Sequence, residues 1–250
     1  MNATELEARE ARAAAAGAPG KHAYVQRMFS DIAPRYDLLN RVLSVGIDRS
    51  WRRAAIERLG WRRRPGGLYL DLCAGTLDVA AALAGTPGFA GRVVGADFAE
   101  PMLRAGRAKG GGRALQPVVA DALALPLANG SCDGAIVAFG IRNVADLDAV
   151  LTEVHRVLAP GASFVILEFS TPRVPLVRAV YRFYFHHVLP VIGRAVSGHP
   201  TAYQYLPESV RAFPEREVLA TRMRAAGFTR VSWSALTFGI AAIHSGDRSG

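Results

Sequence analysis

The chain has almost no lysine. Lys21 and Lys109 are the only two among 30 basic residues, so a formal charge of +9 is carried by arginine. Cysteine is as scarce. Cys73 and Cys132 are too few and too far apart for a disulfide framework or a metal site, and each reads as a small apolar residue of a buried strand. Long hydrophobic runs are missing too. Segments such as Phe164–Leu167 and Gly239–Ile243 fall far short of a bilayer span. The first 20 residues hold no apolar signal core, and Glu5, Glu7 and Glu10 argue against an organelle transit peptide. A cytoplasmic location is the default expectation, with any membrane met from its surface. Also absent are a G-x-G-x-x-G fingerprint and a phosphate-loop lysine, which argues against dinucleotide and nucleotide-triphosphate sites of the usual kinds.

What is present suits a folded domain. Half of the 250 residues are apolar, enough for one α/β domain with extensions. The basic balance is compatible with nucleic acid or an anionic membrane surface, and composition does not choose between them. Residues 1–20 are rich in Ala, Glu and Arg and end in Gly17-Ala-Pro-Gly20, which predicts a flexible tail or frayed helix. The segment 21–64 reads as a helical lid with breaks at Ala33-Pro34 and Gly46. Its Val25, Met28, Phe29 and Ile32 share a helical face.

From residue 65 the pattern alternates. Strands are predicted at Leu68–Cys73, Arg92–Asp97, the stretch ending at Asp121, Asp133–Phe139 and Ser163–Glu168. Helices separate most of them. This predicts a Rossmann-like, doubly wound, mostly parallel sheet. Near the end, Val231–Leu236 and Gly239–His244 lack an intervening helix and read as an antiparallel hairpin. Between them and the fifth strand lies an apolar and basic insert near residues 174–205.

Ligands of such sheets bind beyond the carboxyl ends of the strands. The first strand runs into Asp71-Leu-Cys-Ala-Gly75-Thr76, a small-residue turn that lets a ligand approach the backbone. The second ends in Asp97, placed to accept hydrogen bonds from both ribose hydroxyls of an adenosine. The third ends in Asp121-Ala122, where an acid meets an adenine amino group. A ligand with adenosine and no phosphate fits this set, and S-adenosylmethionine is such a ligand.

Several stretches are more specific. They are Met28–Asn40 (MFSDIAPRYDLLN), Phe139-Gly-Ile-Arg-Asn143, Arg156–Gly161, Leu167-Glu-Phe-Ser170 and Tyr205–Arg211. In these the chain resembles the ubiquinone/menaquinone biosynthesis C-methyltransferases, from about Tyr24 to Gly246. The resemblance implies a class I methyltransferase fold, S-adenosylmethionine as methyl donor and a polyprenylated benzoquinol or naphthoquinol as acceptor; a homodimer is common among relatives. It also implies donor contacts at Thr76, Asp97, Asp121, Ala122 and Ala138, the last in place of the family's usual serine. The family shows Gly-Gly-Thr-Gly-Asp where this chain has Ala74-Gly-Thr-Leu-Asp78. Leu77 is strained by about 1 kcal/mol if that position needs a positive φ, and costs nothing if it simply starts a helix.

Methylating a ring carbon requires alignment with the donor methyl and stabilisation of the phenolate. Arg142 is the expected phenolate stabiliser, Asn143 the group that orients the ring hydroxyl, and Tyr36 and Asp37 are lid residues closing over the ring. Tyr181, Phe183, Tyr184 and Phe185 of the insert would line a tunnel for the prenyl tail, while Arg173, Arg178, Arg182 and Arg194 would touch anionic lipid. His186 and His187 are adjacent on a helix and do not form a metal pair. A nucleic-acid methyltransferase is disfavoured because the fourth strand runs into Ala138-Phe-Gly-Ile-Arg and not Asn/Asp-Pro-Pro-aromatic, and no RNA-binding module is visible. A methyltransferase of another small phenol, and a weakly catalytic scaffold of a quinone-synthesis complex, are the remaining alternatives.

Overall fold

The apolar runs pair as expected in the computed structural model, which describes residues 3–44, 46–110, 112–188, 191 and 202–250. Strands β1 (Leu68–Leu72), β2 (Arg92–Asp97), β3 (Leu115–Val119), β4 (Cys132–Ala138) and β5 (Leu158–Phe169) are parallel, in the order β3-β2-β1-β4-β5. The chain winds one way from β1 and the other way from β4, so the switch point lies between these two. Beyond β5 the direction reverses. β6 (Phe228–Leu236) and β7 (Ala241–Arg248) form the expected antiparallel hairpin, and β7 is the strand that sits beside β5.

The helical segment breaks where proline and glycine require it. Helix α1 (Ala3–Ala15) comes first, and α2 (Lys21–Ile32) ends in a 3-10 turn at Ala33–Arg35. Pro34 lies in the first turn there, where its missing N–H leaves no bond unmade. Helices α3 (Tyr36–Ser44) and α4 (Ile47–Arg58) are separated by Gly46, whose φ is 76°.

Two boundaries differ from expectation. Of the two alternatives for the first 20 residues the helix is the one present, over Ala3–Ala15, but it is packed and not frayed: Ala11, Ala14 and Ala15 make a small buried face against α9 (Ala202–Ala212). The far end of the predicted lid is not lid at all. Trp51, Ala55 and Ile56 of α4 are buried in one cluster with Tyr69, Ile136 and Val165 of the sheet.

The remaining helices are α5 (Asp78–Ala84), α6 (Glu100–Gly106), α7 (Leu147–Val157), α8 (Pro175–Phe183) and α10 (Arg216–Ala225). Helix α7 is capped by Asp146, whose Oδ1 accepts from the Ala149 N–H at 3.0 Å. Helix α8 continues into a π-helical turn at Tyr184–Val188. Of the predicted insert, Arg194 lies outside the described residues. Among the described residues no helix is long and apolar enough to cross a membrane, and no cluster of metal-ligating side chains occurs.

Candidate active site

Backbone strain gathers at the switch point. Cys73 after β1, Leu77 before α5 and Phe139 after β4 hold φ values of 52°, 63° and 61°. For non-glycine residues this left-handed conformation costs about 1–2 kcal/mol each, and it persists only where surroundings enforce it. Here the two strand ends pack closely: a Cβ built on Gly140 would lie 2.4 Å from Cys73 Cβ.

A cavity opens between these ends. Its wall includes Gly75, Asp97, Asp121, Ala122, Ala138 and Asn143, all expected at the site. Tyr36 of the lid closes one side. Asp97 is buried, and its Oδ2 and Oδ1 accept from the N–H groups of Gly75 (2.8 Å) and Ala99 (2.9 Å). A carboxylate has about four acceptor sites, so two backbone bonds orient it and leave capacity for a ligand diol. Burial raises its pKa; those N–H groups oppose the shift. Asp121 is held by the Leu123 N–H at 2.9 Å. Its other oxygen lies 3.3 Å from His22 Nε2, and the His22 ring sits 4.9 Å from that of Phe98. His22 and Phe29 of α2 thus reach into the cavity, whose free volume is about 50 Å³.

Two residues expected at the donor, Asp71 and Thr76, do not line this cavity. Asp71 points under the loop, where its Oδ2 accepts from the Ala80 N–H at 2.9 Å in the first turns of α5. Burial pushes its pKa up to about 8. It does not line this cavity and anchors the helix. Thr76 faces the lid: its Oγ1 donates to Asp37 Oδ1 at 2.5 Å and accepts from Lys109 Nζ at 2.8 Å. Leu77 takes the strained alternative, and Asp78 does not cap α5. Its side chain is fully buried over Gly95, where an added Cβ would meet Leu77 Cδ2 at 2.5 Å. Burying a leucine is worth about 1.5–3 kcal/mol, which offsets the strain.

A second cavity of about 350 Å³ adjoins the first. Phe29, Tyr36 and Phe139 line both. Its far wall is apolar and includes Ile32, Trp51, Phe169 and, from α8 and beyond, Val177, Tyr181 and Tyr184. Arg142 lines it too. This arginine is paired with a buried carboxylate. Its Nη1 donates to Glu168 Oε1 at 2.7 Å and to the Phe139 carbonyl at 2.6 Å, and its guanidinium stacks over Phe169 at 5.5 Å. Its Nε is buried without a hydrogen-bond partner among the described residues. Asn143 is oriented by Tyr205, whose Oη donates to Asn143 Oδ1 at 3.1 Å. Burial raises the Tyr36 pKa, so its hydroxyl stays protonated at neutral pH.

Glu168 and Tyr205 carried no assigned role in the sequence. A carboxylate closing an apolar buried strand was the available signal, because a buried charge requires a partner. Tyr205 gave no such signal, since its partner lies 62 residues away.

The ubiE/COQ5 methyltransferase family profile matches residues 18–248. Demethylmenaquinone methyltransferase of Thermus thermophilus is 52% identical over 224 residues, covering 88% of this chain and 100% of that one. The ubiquinone/menaquinone biosynthesis C-methyltransferase UbiE of a Geobacter species is 46% identical over 229 residues, covering 90% and 96%. Among solved structures, a SAM-dependent methyltransferase of Thermotoga maritima superposes with a TM-score of 0.62 at 18% identity, covering 89% of this chain and 99% of that one.

Proposed function

The chain belongs to the ubiE/COQ5 methyltransferase family, and we propose that it methylates a ring carbon of a polyprenylated quinol with S-adenosylmethionine as donor. The observation that carries this reading is the shared wall. A polar cavity at the strand ends and an apolar cavity under the lid meet at Phe29, Tyr36 and Phe139.

The residues present fit the donor. Gly75 leaves the backbone open, a Cβ there lying 3.3 Å from Met102 Cε. Asp97 offers acceptors for a ribose diol and Asp121 one for an adenine amino group. His22 is the only basic side chain lining the cavity among the described residues, which suits a nucleoside and not a phosphate. S-adenosylmethionine, when bound, supplies an electrophilic methyl group on sulfur.

The chain's own residues do the rest. Phe139, Phe169 and Trp51 surround the ring space; the Phe139 and Phe169 centroids are 4.6 Å apart. Arg142, fixed by Glu168, offers its unpaired Nε–H to a developing phenolate. With its charge largely balanced by Glu168, it acts as an oriented donor more than as a net cation. Asn143, held at Oδ1 by Tyr205, has its amide nitrogen left for a ring hydroxyl. Tyr36 shields the junction from water, and an aromatic cluster in a dry site excludes competing hydrolysis.

The prenyl tail leaves along α8. Val177, Tyr181 and Tyr184 line the groove, while Leu176, Val180 and Phe183 are 75%, 63% and 61% exposed one helical turn apart. An apolar face flanked by Arg173, Arg178 and Arg182 fits an anionic bilayer surface, from which the groove would draw its substrate.

Arg142→Ala tests the assignment. Turnover with a short-chain quinol falls by about 10²–10³, the loss typical of one donor to a developing oxyanion, while donor affinity changes little. Unchanged turnover would remove Arg142 from the chemistry.

A further inference from the structure

A charged cleft of about 680 Å³ lies between α3, α4 and α5, outside the donor cavity and sharing Asn40, Asp48 and Arg52 with the acceptor groove. At its inner end three elements converge on one ammonium group. Lys109, in the turn after α6, places Nζ 2.6 Å from Asp37 Oδ2 and 2.5 Å from Asp78 Oδ1, and donates to Thr76 Oγ1 at 2.8 Å. Thr76 Oγ1 also donates to Asp37 Oδ1 at 2.5 Å. An ammonium has three N–H donors, and here they meet three acceptors.

The connected residues straddle the site without entering it. Asp37 follows Tyr36, which lines both cavities, and Thr76 and Asp78 flank the left-handed Leu77 just past Gly75. Asp37, Asp78 and Lys109 line neither the donor cavity nor the acceptor groove. In a chain that meets nearly every need for a cation with arginine, this position holds one of two lysines. A compact point charge matches acceptors grouped around one spot, and a planar guanidinium fork does not.

We propose that Lys109 is a positioning residue that couples the lid to the donor loop through Asp37. With the clamp in place, the strained turn at Leu77 presents Gly75 to the donor only when α3 holds Tyr36 over the junction. The clamp is a tertiary cross-link whose energetic effect is felt at the donor and not at the reacting ring carbon.

Lys109→Met and Asp37→Asn, singly and combined, provide the test. Calorimetric titration with S-adenosylmethionine is expected to show donor affinity falling about tenfold in each single variant, and no further in the pair, because contacting partners are not additive. In turnover the loss appears in the donor KM and not in kcat. Lys109→Arg keeps the charge and still raises the donor KM. Amide exchange across residues 75–80 of the ligand-free protein speeds up in Asp37→Asn, although Asp37 is on the lid. Three results would overturn the coupling: Asp37→Asn with unchanged donor affinity and exchange, additive costs, or a fall in kcat at constant KM, which signals lost active protein. The inference rests on the donor reading above. If the wild type fails to bind S-adenosylmethionine, that reading falls, and the exchange measurement still decides the coupling.

Discussion

The donor cavity and the acceptor groove share three side chains and little else. The donor side is built on strand ends, with carboxylates pinned by backbone N–H groups and glycines placed where a Cβ would collide. The acceptor side is built largely from helices laid over the ends of β4 and β5, and its walls are mostly ring and aliphatic surface. In this structure the first is closed to about 50 Å³ while the second holds about 350 Å³. The contrast teaches that one end of the reaction is fixed by the fold and the other by what is packed on top of it. A rigid end suits a donor that never varies. A groove of apolar side chains suits a long tail whose contacts are many and individually weak.

The largest expected effect concerns the rigid end. Burial lifts the Asp71 pKa to about 8, so the folded state holds a proton that the unfolded chain releases near pH 4. The stability from this group is full below about pH 4 and is lost as pH rises through about 8, on the order of a few kcal/mol. Asp71→Asn, which keeps an acceptor for Ala80, removes that fall. Thermal unfolding of the ligand-free variant between pH 4 and pH 8 checks it; an unchanged slope would mean Asp71 is ionised in place.

Next comes the helix-built end. Leu176→Asp with Phe183→Asp alters only exposed positions of α8, and binding to anionic vesicles drops about tenfold or more. Retention on vesicles by the double variant would leave the exposed face of α8 without a lipid role. The smallest effect is expected at the helical side of the donor cavity. His22 contacts Asp121 and Phe98 with about half its side chain exposed, a pairing worth at most about 1 kcal/mol. His22→Ala therefore tightens donor binding about two- to fivefold, and weaker binding would make His22 part of the donor site.

The same division governs what could be read from the sequence. The strand end at Asp97, the hairpin, and the breaks at Pro34 and Gly46 follow from local pattern and are present, while the third strand stops at Val119, two residues before the expected end at Asp121. Asp71 and Thr76 were placed on the donor because they sit in the right turn, but the direction of a side chain in a turn depends on its neighbours. Asp71 is drawn to a helix N–H and Thr76 to Asp37. The groove was harder to foresee. The pairing of Arg142 with Glu168, and of Asn143 with Tyr205, joins segments 26 and 62 residues apart. No periodicity encodes such contacts. The role of α4 as sheet core and the burial of α1 were missed for the same reason: an alanine-rich helix looks identical in sequence whether or not another helix covers it.

The most direct measurement is product identification. Purified protein would be given methyl-labelled S-adenosylmethionine with short-chain demethylnaphthoquinol and, separately, the matching benzoquinol. The shared wall at Tyr36 and Phe139 predicts label on a ring carbon of at least one acceptor, at a rate that rises when a prenyl unit is added. Label on a phenolic oxygen, or bound donor with no transfer to either ring, would contradict it.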